Sequence, residues 1–129
     1  MTTLYSFPAN AHLRRGADFK RVYDRKCKAA DGVLLMFVDR GPSKETRIGL
    51  SVSRKHGGAV ERNRLKRLLR EAFRLTGGQL PQGLDVVVIP LDKSRASLTV
   101  FRESLIRLCR KLDRKLNAPG PSPAAGTEP

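Results

Sequence analysis

Between residues 62 and 74, Leu65, Leu68, Leu69, Ala72 and Phe73 recur at the i, i+3, i+4, i+7 and i+8 spacing of a helix with one face on a core. The pattern extends from about residue 59 to 75, with Gly77-Gly78 as a stop signal. Phe19, Val22 and Tyr23 share a helical face after Gly16-Ala17-Asp18 and predict a shorter first helix that ends near Lys26. Leu98, Phe101, Leu105, Leu108, Cys109, Leu112 and Leu116 mark the core stripe of a long final helix.

Other segments lack that period. Residues 33 to 38 form a continuous apolar run between Gly32 and the turn-like Asp39-Arg40-Gly41-Pro42, which predicts a central strand covered on both faces. Residues 84 to 91 have the β-branched density of a second buried strand. Residues 47 to 54 alternate, with Ile48, Leu50 and Val52 on one side and Gly49, Ser51 and Ser53 on the other. The small side chains of the second set leave room for something to lie against them, and they equally suit a solvated strand. The order of helix, strands, helix, strand and helix predicts an α/β sandwich with a small sheet. If the strands flanking the second helix are parallel neighbours, the general rule favours a right-handed crossover.

At 129 residues the chain suits one domain with a real core, expected over residues 12 to 117. Residues 1 to 11 read as a flexible start. The stretch 118 to 129 holds four prolines and two glycines without apolar periodicity and reads as a disordered tail.

Charge changes the picture most. Against 12 acidic residues stand 26 Lys and Arg, a net charge of +14 and a pI near 10.9, which point to nucleic acid or an anionic membrane surface. No stretch reaches the roughly 18 apolar residues of a spanning helix, and residues 1 to 10 lack the charged-then-apolar order of a signal peptide, so a cytoplasmic protein with no membrane partner is expected. Residues 62 to 74 alone carry six cations and one acid. Like charges one turn apart repel. Packing must therefore hold this helix, and a polyanion would relieve the face formed by Asn63, Lys66, Arg67, Arg70 and Arg74.

The chain shows no evident catalytic constellation of its own. Its acidic residues are scattered, His12 and His56 lie far apart, and Cys27 and Cys109 have neither zinc nor disulfide spacing. Gly57-Gly58 before a helix suits an anion or simply a tight turn, and no Gly-Lys-Ser/Thr sequence accompanies it.

Arg predominates among the cations of the second helix, and a guanidinium can bridge phosphate oxygens or stack on a base. Asn63 adds a donor and an acceptor for a base edge or a 2′-hydroxyl. RNA suits such a face better than duplex DNA, because A-form major grooves deny a helix base-edge readout and leave backbone, shape and stacking. Phe19 and Tyr23 fit either a core or, beside the small residues near Ser51 and Ser53, a cleft for single-stranded nucleic acid.

Residues 47 to 74, RIGLSVSRKHGGAVERNRLKRLLREAFR, closely resemble the signature of the bacterial ribonuclease P protein subunit family: a Gly-Leu-Ser-Val-Ser strand, a basic turn, Arg-Asn-Arg, then Lys-Arg and a further Arg. The upstream Asp18, Phe19, Val22 and Tyr23 match as well, and the resemblance covers about residues 12 to 116. It implies an α+β fold, a two-layer α/β sandwich like domain 2 of ribosomal protein S5, in the order α-β-β-β-α-β-α. It also implies a left-handed crossover, against the general rule. The implied function is to bind the ribonuclease P catalytic RNA and the 5′ leader of precursor tRNA and so support endonucleolytic removal of the leader. The implied magnesium is held mainly by the RNA, with no catalytic or metal-ligating residue on the protein and no DNA partner.

By this resemblance Arg62, Asn63, Arg64, Lys66, Arg67 and Arg70 would face the catalytic RNA, and Arg74, on the same cationic helix face, is expected to join them. Phe19, Tyr23, Ser51, Ser53 and Lys55 would receive the leader, and the nearby cations Arg14 and Arg15 are expected to join them. His56 and Gly58 in the turn, and Met36 in the sheet, depart from the family pattern. The alternative reading is a structural RNA-binding protein of the ribosomal or assembly-factor type.

Overall fold

The computed structural model describes Leu13 and residues 16 to 76 and 78 to 117. The expected flexible start, the tail from 118, and Arg14 and Arg15 lie outside the described residues. The elements are α1 (Gly16–Arg25), β1 (Cys27–Ala30), β2 (Leu34–Arg40), β3 (Arg47–Leu50), α2 (Ala59–Arg74), β4 (Leu84–Pro90) and α3 (Leu98–Asn117), with short 3-10 turns at Arg54–His56 and Lys93–Arg95. The implied order is found. The pattern of apolar positions did not place β1, because Cys-Lys-Ala-Ala carries too little apolar contrast to register as a strand.

The four strands form one sheet in the order β1-β2-β4-β3, antiparallel except for the parallel β3–β4 pair. One face carries Leu34, Met36, Val38, Ile48, Val86 and Val88, and these pack with Leu65, Leu69 and Ala72 of α2 and Phe101, Leu105, Leu108 and Leu112 of α3. Burial of these side chains is the main favourable term holding the two layers together. Cys109 belongs to this core, its Sγ 3.7 Å from Met36 Sδ, and burial pushes its thiol up to about 12.

The hand of the β3-α2-β4 unit follows from L-residue geometry. Ser51 N–H donates to Val88 O at 2.9 Å, so the odd-numbered residues of this segment aim their amides at β4, while the Ile48 carbonyl points away and accepts from Leu13 N–H. Their side chains, Arg47 and Gly49, face away from α2. In an L-strand viewed pointing up with a side chain toward the observer, that residue's N–H and C=O point right. Seen from the α2 side, β4 therefore lies to the left of β3, and the crossover is left-handed. The general right-handed expectation fails here.

β2 is internal, as expected, but its second face is only half covered: Leu34, Met36 and Val38 are buried whereas Leu35 and Phe37 are half-buried. Strand β3 stops at Leu50 rather than 53, because Ser53 opens the 3-10 turn that leads into α2. α1 ends at Arg25, and Lys26 turns the chain into β1 with a φ of 59°.

Candidate nucleic-acid interface

α2 presents the cationic face its spacing predicts. Leu65, Leu69 and Ala72 are buried, and on the opposite side the side chains of Asn63, Lys66, Arg67 and Arg70 make no hydrogen bond or ion pair among the described residues. Arg74 shares that side and is engaged by Glu71. Arg62 is different: it is half-buried on the flank, with Nε 3.4 Å from Gly58 O. Arg64 is exposed on the other flank. The structure thus gathers five of the seven expected residues on one face and places Arg62 and Arg64 beside it.

The helix start is braced rather than open. Gly57 has a φ of 124°, and a Cβ there would lie 2.8 Å from Glu61 Oε1. Glu61 pairs with Lys93 at 2.8 Å across to the turn after β4. The Gly57-Gly58 segment is therefore a tight turn with a carboxylate against it, not a phosphate cradle. His56 locks the same turn. Its Nδ1 accepts from Ser53 N–H at 2.9 Å, which leaves Nε2–H to donate to Pro90 O at 2.9 Å.

The second face of the sheet is stepped. α1 crosses one end of it, with Val22 buried beside Val87 and Leu13, and Phe19, Tyr23 and Phe37 packed around them. Phe19 lies directly on β3: a Cβ at Gly49 would stand 2.6 Å from Phe19 Cζ. The small-residue side of β3 is occupied there by an aromatic ring. Tyr23 meets Phe37 edge-on with centroids 4.9 Å apart, and Lys28 Nζ lies 5.6 Å from the Phe37 ring centroid.

Beyond α1 the same face continues through Leu35, Ile89 and Ser51, all only half-buried, to the exposed Ser53, Arg54 and Lys55. Phe19 and Tyr23 are themselves half-buried, each belonging partly to the small core and partly to this open surface. Ser51 lies on it beside Ile89, while Ser53 instead heads the 3-10 turn and Lys55 stands within that turn. Phe37, Leu35, Ile89 and Lys28 escaped the sequence reading. A contiguous apolar run conceals which of its members face outward, and only the alternation within 33 to 38 could have singled out Phe37.

α1 is fixed at the other end of this face by charge. Asp85, fully buried, accepts two hydrogen bonds from Arg47, at 2.8 and 2.7 Å, and one from Arg21, which also bonds Asp39 at 2.9 Å. Proximity to Asp85 raises both arginines above their ordinary range despite partial desolvation. On the α3 side, Asp31 accepts from Val33 and Leu34 N–H, Ser104 Oγ and Arg107. Burial opposes ionisation of Asp31, but these donors outweigh it and hold the carboxyl at about 2. Among the described residues no three His, Cys, Asp or Glu side chains are grouped to hold a metal ion, and no helix is long and apolar enough to cross a membrane.

Comparison with known proteins agrees with this architecture. The family model described as Ribonuclease P matches residues 7–113. The ribonuclease P protein component of Finegoldia magna is 40% identical over 108 residues, covering 82% of this chain and 94% of that protein. The component of Thermotoga maritima is 32% identical over 113 residues, covering 84% and 97%. Among solved structures, the RNase P protein from Thermotoga maritima superposes with a TM-score of 0.70 at 32% identity, over 78% of this chain and 96% of that one. The Staphylococcus aureus RNase P protein gives 0.68 at 27% identity, over 83% and 98%. With the left-handed unit, the cationic helix and these matches in agreement over most of its length, the chain belongs to the ribonuclease P protein family.

Proposed function

We propose that this chain is the protein subunit of a cytoplasmic ribonuclease P and serves two RNAs from two sides of one sheet. The cationic face of α2, with Arg62 and Arg64 on its flanks, binds the catalytic RNA. The stepped surface on the opposite face, with Phe19 and Tyr23 of α1, Phe37 on the floor, and Ser51, Ser53 and Lys55 at its open end, receives the 5′ leader of precursor tRNA. Arg14 and Arg15, which lie outside the described residues, are proposed to contact the leader as well. Phosphate contacts from α2 supply affinity and salt dependence, and aromatic faces offer stacking to unpaired bases without demanding a sequence.

The observation that carries the reading is the separation of the two surfaces. Unengaged cations cluster on the α2 side, and half-buried aromatics gather on the other. Among the described residues the least exposed carboxylates, Asp85, Asp31 and Asp39, are each already engaged by arginine, which leaves them poorly suited to cage a magnesium ion. The protein's contribution is then substrate affinity and neutralisation of phosphate charge, which divalent ions would otherwise have to screen, while the metal ions of the reaction belong to the RNA.

Reconstitution tests this. A bacterial ribonuclease P RNA is assayed for precursor tRNA cleavage with and without the protein across a magnesium series. Stimulation that grows as magnesium falls supports the reading. Binding to the RNA without stimulation would instead make the chain a structural RNA-binding protein of the ribosomal or assembly-factor type.

A further inference from the structure

α3 has charge to spare. Between residues 102 and 115 it carries six cations against two acids. Asp113 is taken by Arg40 at 3.0 Å, Arg107 is engaged by Asp31, and Lys115 donates to Lys28 O. Arg102, Arg110, Lys111 and Arg114 have no carboxylate partner among the described residues.

Three of these four line an open groove of about 440 Å³ between the outer face of α3 and the segment that follows α2, together with Gln79, Glu103 and Ile106. Arg102 Nε donates to Leu75 O at 3.1 Å and Arg110 Nε to Gln79 O at 3.3 Å. Those two bonds brace the side chains through Nε while the Nη groups, the bidentate end of the guanidinium, remain available. The Arg114 side chain makes no hydrogen bond among the described residues. Arg107 adds a fourth guanidinium to the wall and Glu103 a single carboxylate.

The row has a length and a direction. From Arg102 to Arg114 along a helix is roughly 18 Å, long enough to meet several successive phosphates of one strand. It is also continuous with the α2 face, because the carbonyl that Arg102 holds belongs to Leu75, the neighbour of Arg74. A phosphate run crossing Arg67 and Arg70 can therefore pass on to α3 without leaving the helical layer. The leader surface lies across the sheet, so the catalytic RNA is the occupant that the layout favours. Several planar forks lining one groove suit the repeated phosphates of a strand better than the irregular carboxylates of an acidic protein.

We propose that the groove formed by Arg102, Arg110 and Arg114 is a second phosphate-backbone contact for the catalytic RNA, an inference that rests on the function proposed above. The test measures the Kd of the full-length protein for a bacterial ribonuclease P RNA as a function of salt. The variants are Arg110→Gln/Arg114→Gln, Arg114→Gln alone, and Arg67→Gln/Arg70→Gln, with thermal unfolding of each recorded in parallel.

Loss of two contacts lowers the log–log salt slope by about 1.4 to 1.8, and loss of one by about half that. The expected result is a reduced slope for both double variants and a smaller reduction for Arg114→Gln, with melting unchanged for the latter. A reduced slope for the α2 variant beside an unchanged slope for both α3 variants overturns the inference and leaves the proposed function standing. A wild-type protein that does not bind the RNA overturns both.

Discussion

Arg47 and Asp85 face each other across the parallel β3–β4 pair, and the guanidinium of one grips both carboxylate oxygens of the other at 2.8 and 2.7 Å. Asp85 is fully buried, and Arg21 of α1 closes on the same carboxylate. Removing the acid leaves two confined cations facing each other, so Asp85→Ala should destabilise the fold by about 3 kcal/mol or more. Arg21→Ala should cost far less, about 1 kcal/mol, because Arg21 is 35% exposed and Asp85 keeps Arg47. Guanidinium denaturation of the two variants checks the order, and equal losses would mean that Arg47 does not hold Asp85 by itself.

Gly49 couples stability to the proposed leader surface. Because its Cβ would fall 2.6 Å from Phe19 Cζ, Gly49→Ala must push the ring aside or bend β3. Overpacking of this kind costs roughly 1 to 3 kcal/mol. The same variant should weaken binding of leader-bearing precursor tRNA more than of leaderless tRNA. A variant as stable as the wild type, with unchanged leader preference, would place Phe19 away from β3.

Asp31 makes stability depend on acid pH. Its folded carboxyl, at about 2, lies below the ordinary 3.8, so its contribution is fully present above about pH 4 and is lost as pH falls through 2. The difference corresponds to roughly 2 kcal/mol at neutral pH. Asp31→Ala, which also releases Ser104 and Arg107, should be less stable than the wild type by about that much at pH 7, and the gap should narrow to about half by pH 3. A gap independent of pH would show that the aspartate acts through turn geometry and not through its charge.

The helical parts of this molecule are legible in the sequence because a 3.6-residue period exposes both faces at once: the core side of α2 and its cationic side follow from one reading. Strand β1 is not legible, since Cys27 to Ala30 has no strong alternation and becomes a strand only by pairing with residues 35 to 38. Asp85 looks out of place in an apolar strand, and its partners Arg47 and Arg21 lie 38 and 64 positions away, where no local pattern can announce them. For the proposed leader surface, spacing put Phe19 and Tyr23 on one helical face but left core and cleft open until family likeness assigned them the cleft, whereas Phe37 was hidden in a run read as covered on both sides. The left-handed crossover was implied by family likeness, and only the strand amide directions derive it from this chain.

The central claim is that the two RNAs bind on opposite sides of the sheet, and holoenzyme binding to precursor tRNA with and without a 5′ leader tests it most directly. With the holoenzyme preassembled, Phe19→Ala should lose roughly 1 to 3 kcal/mol of leader-dependent affinity while the protein keeps its affinity for the catalytic RNA. Arg67→Ala should do the reverse, weakening assembly with the catalytic RNA and lowering its salt slope by about 0.7 to 0.9, with the leader preference of the assembled enzyme intact. If both substitutions impaired both measurements alike, the division of labour between the two faces would be contradicted.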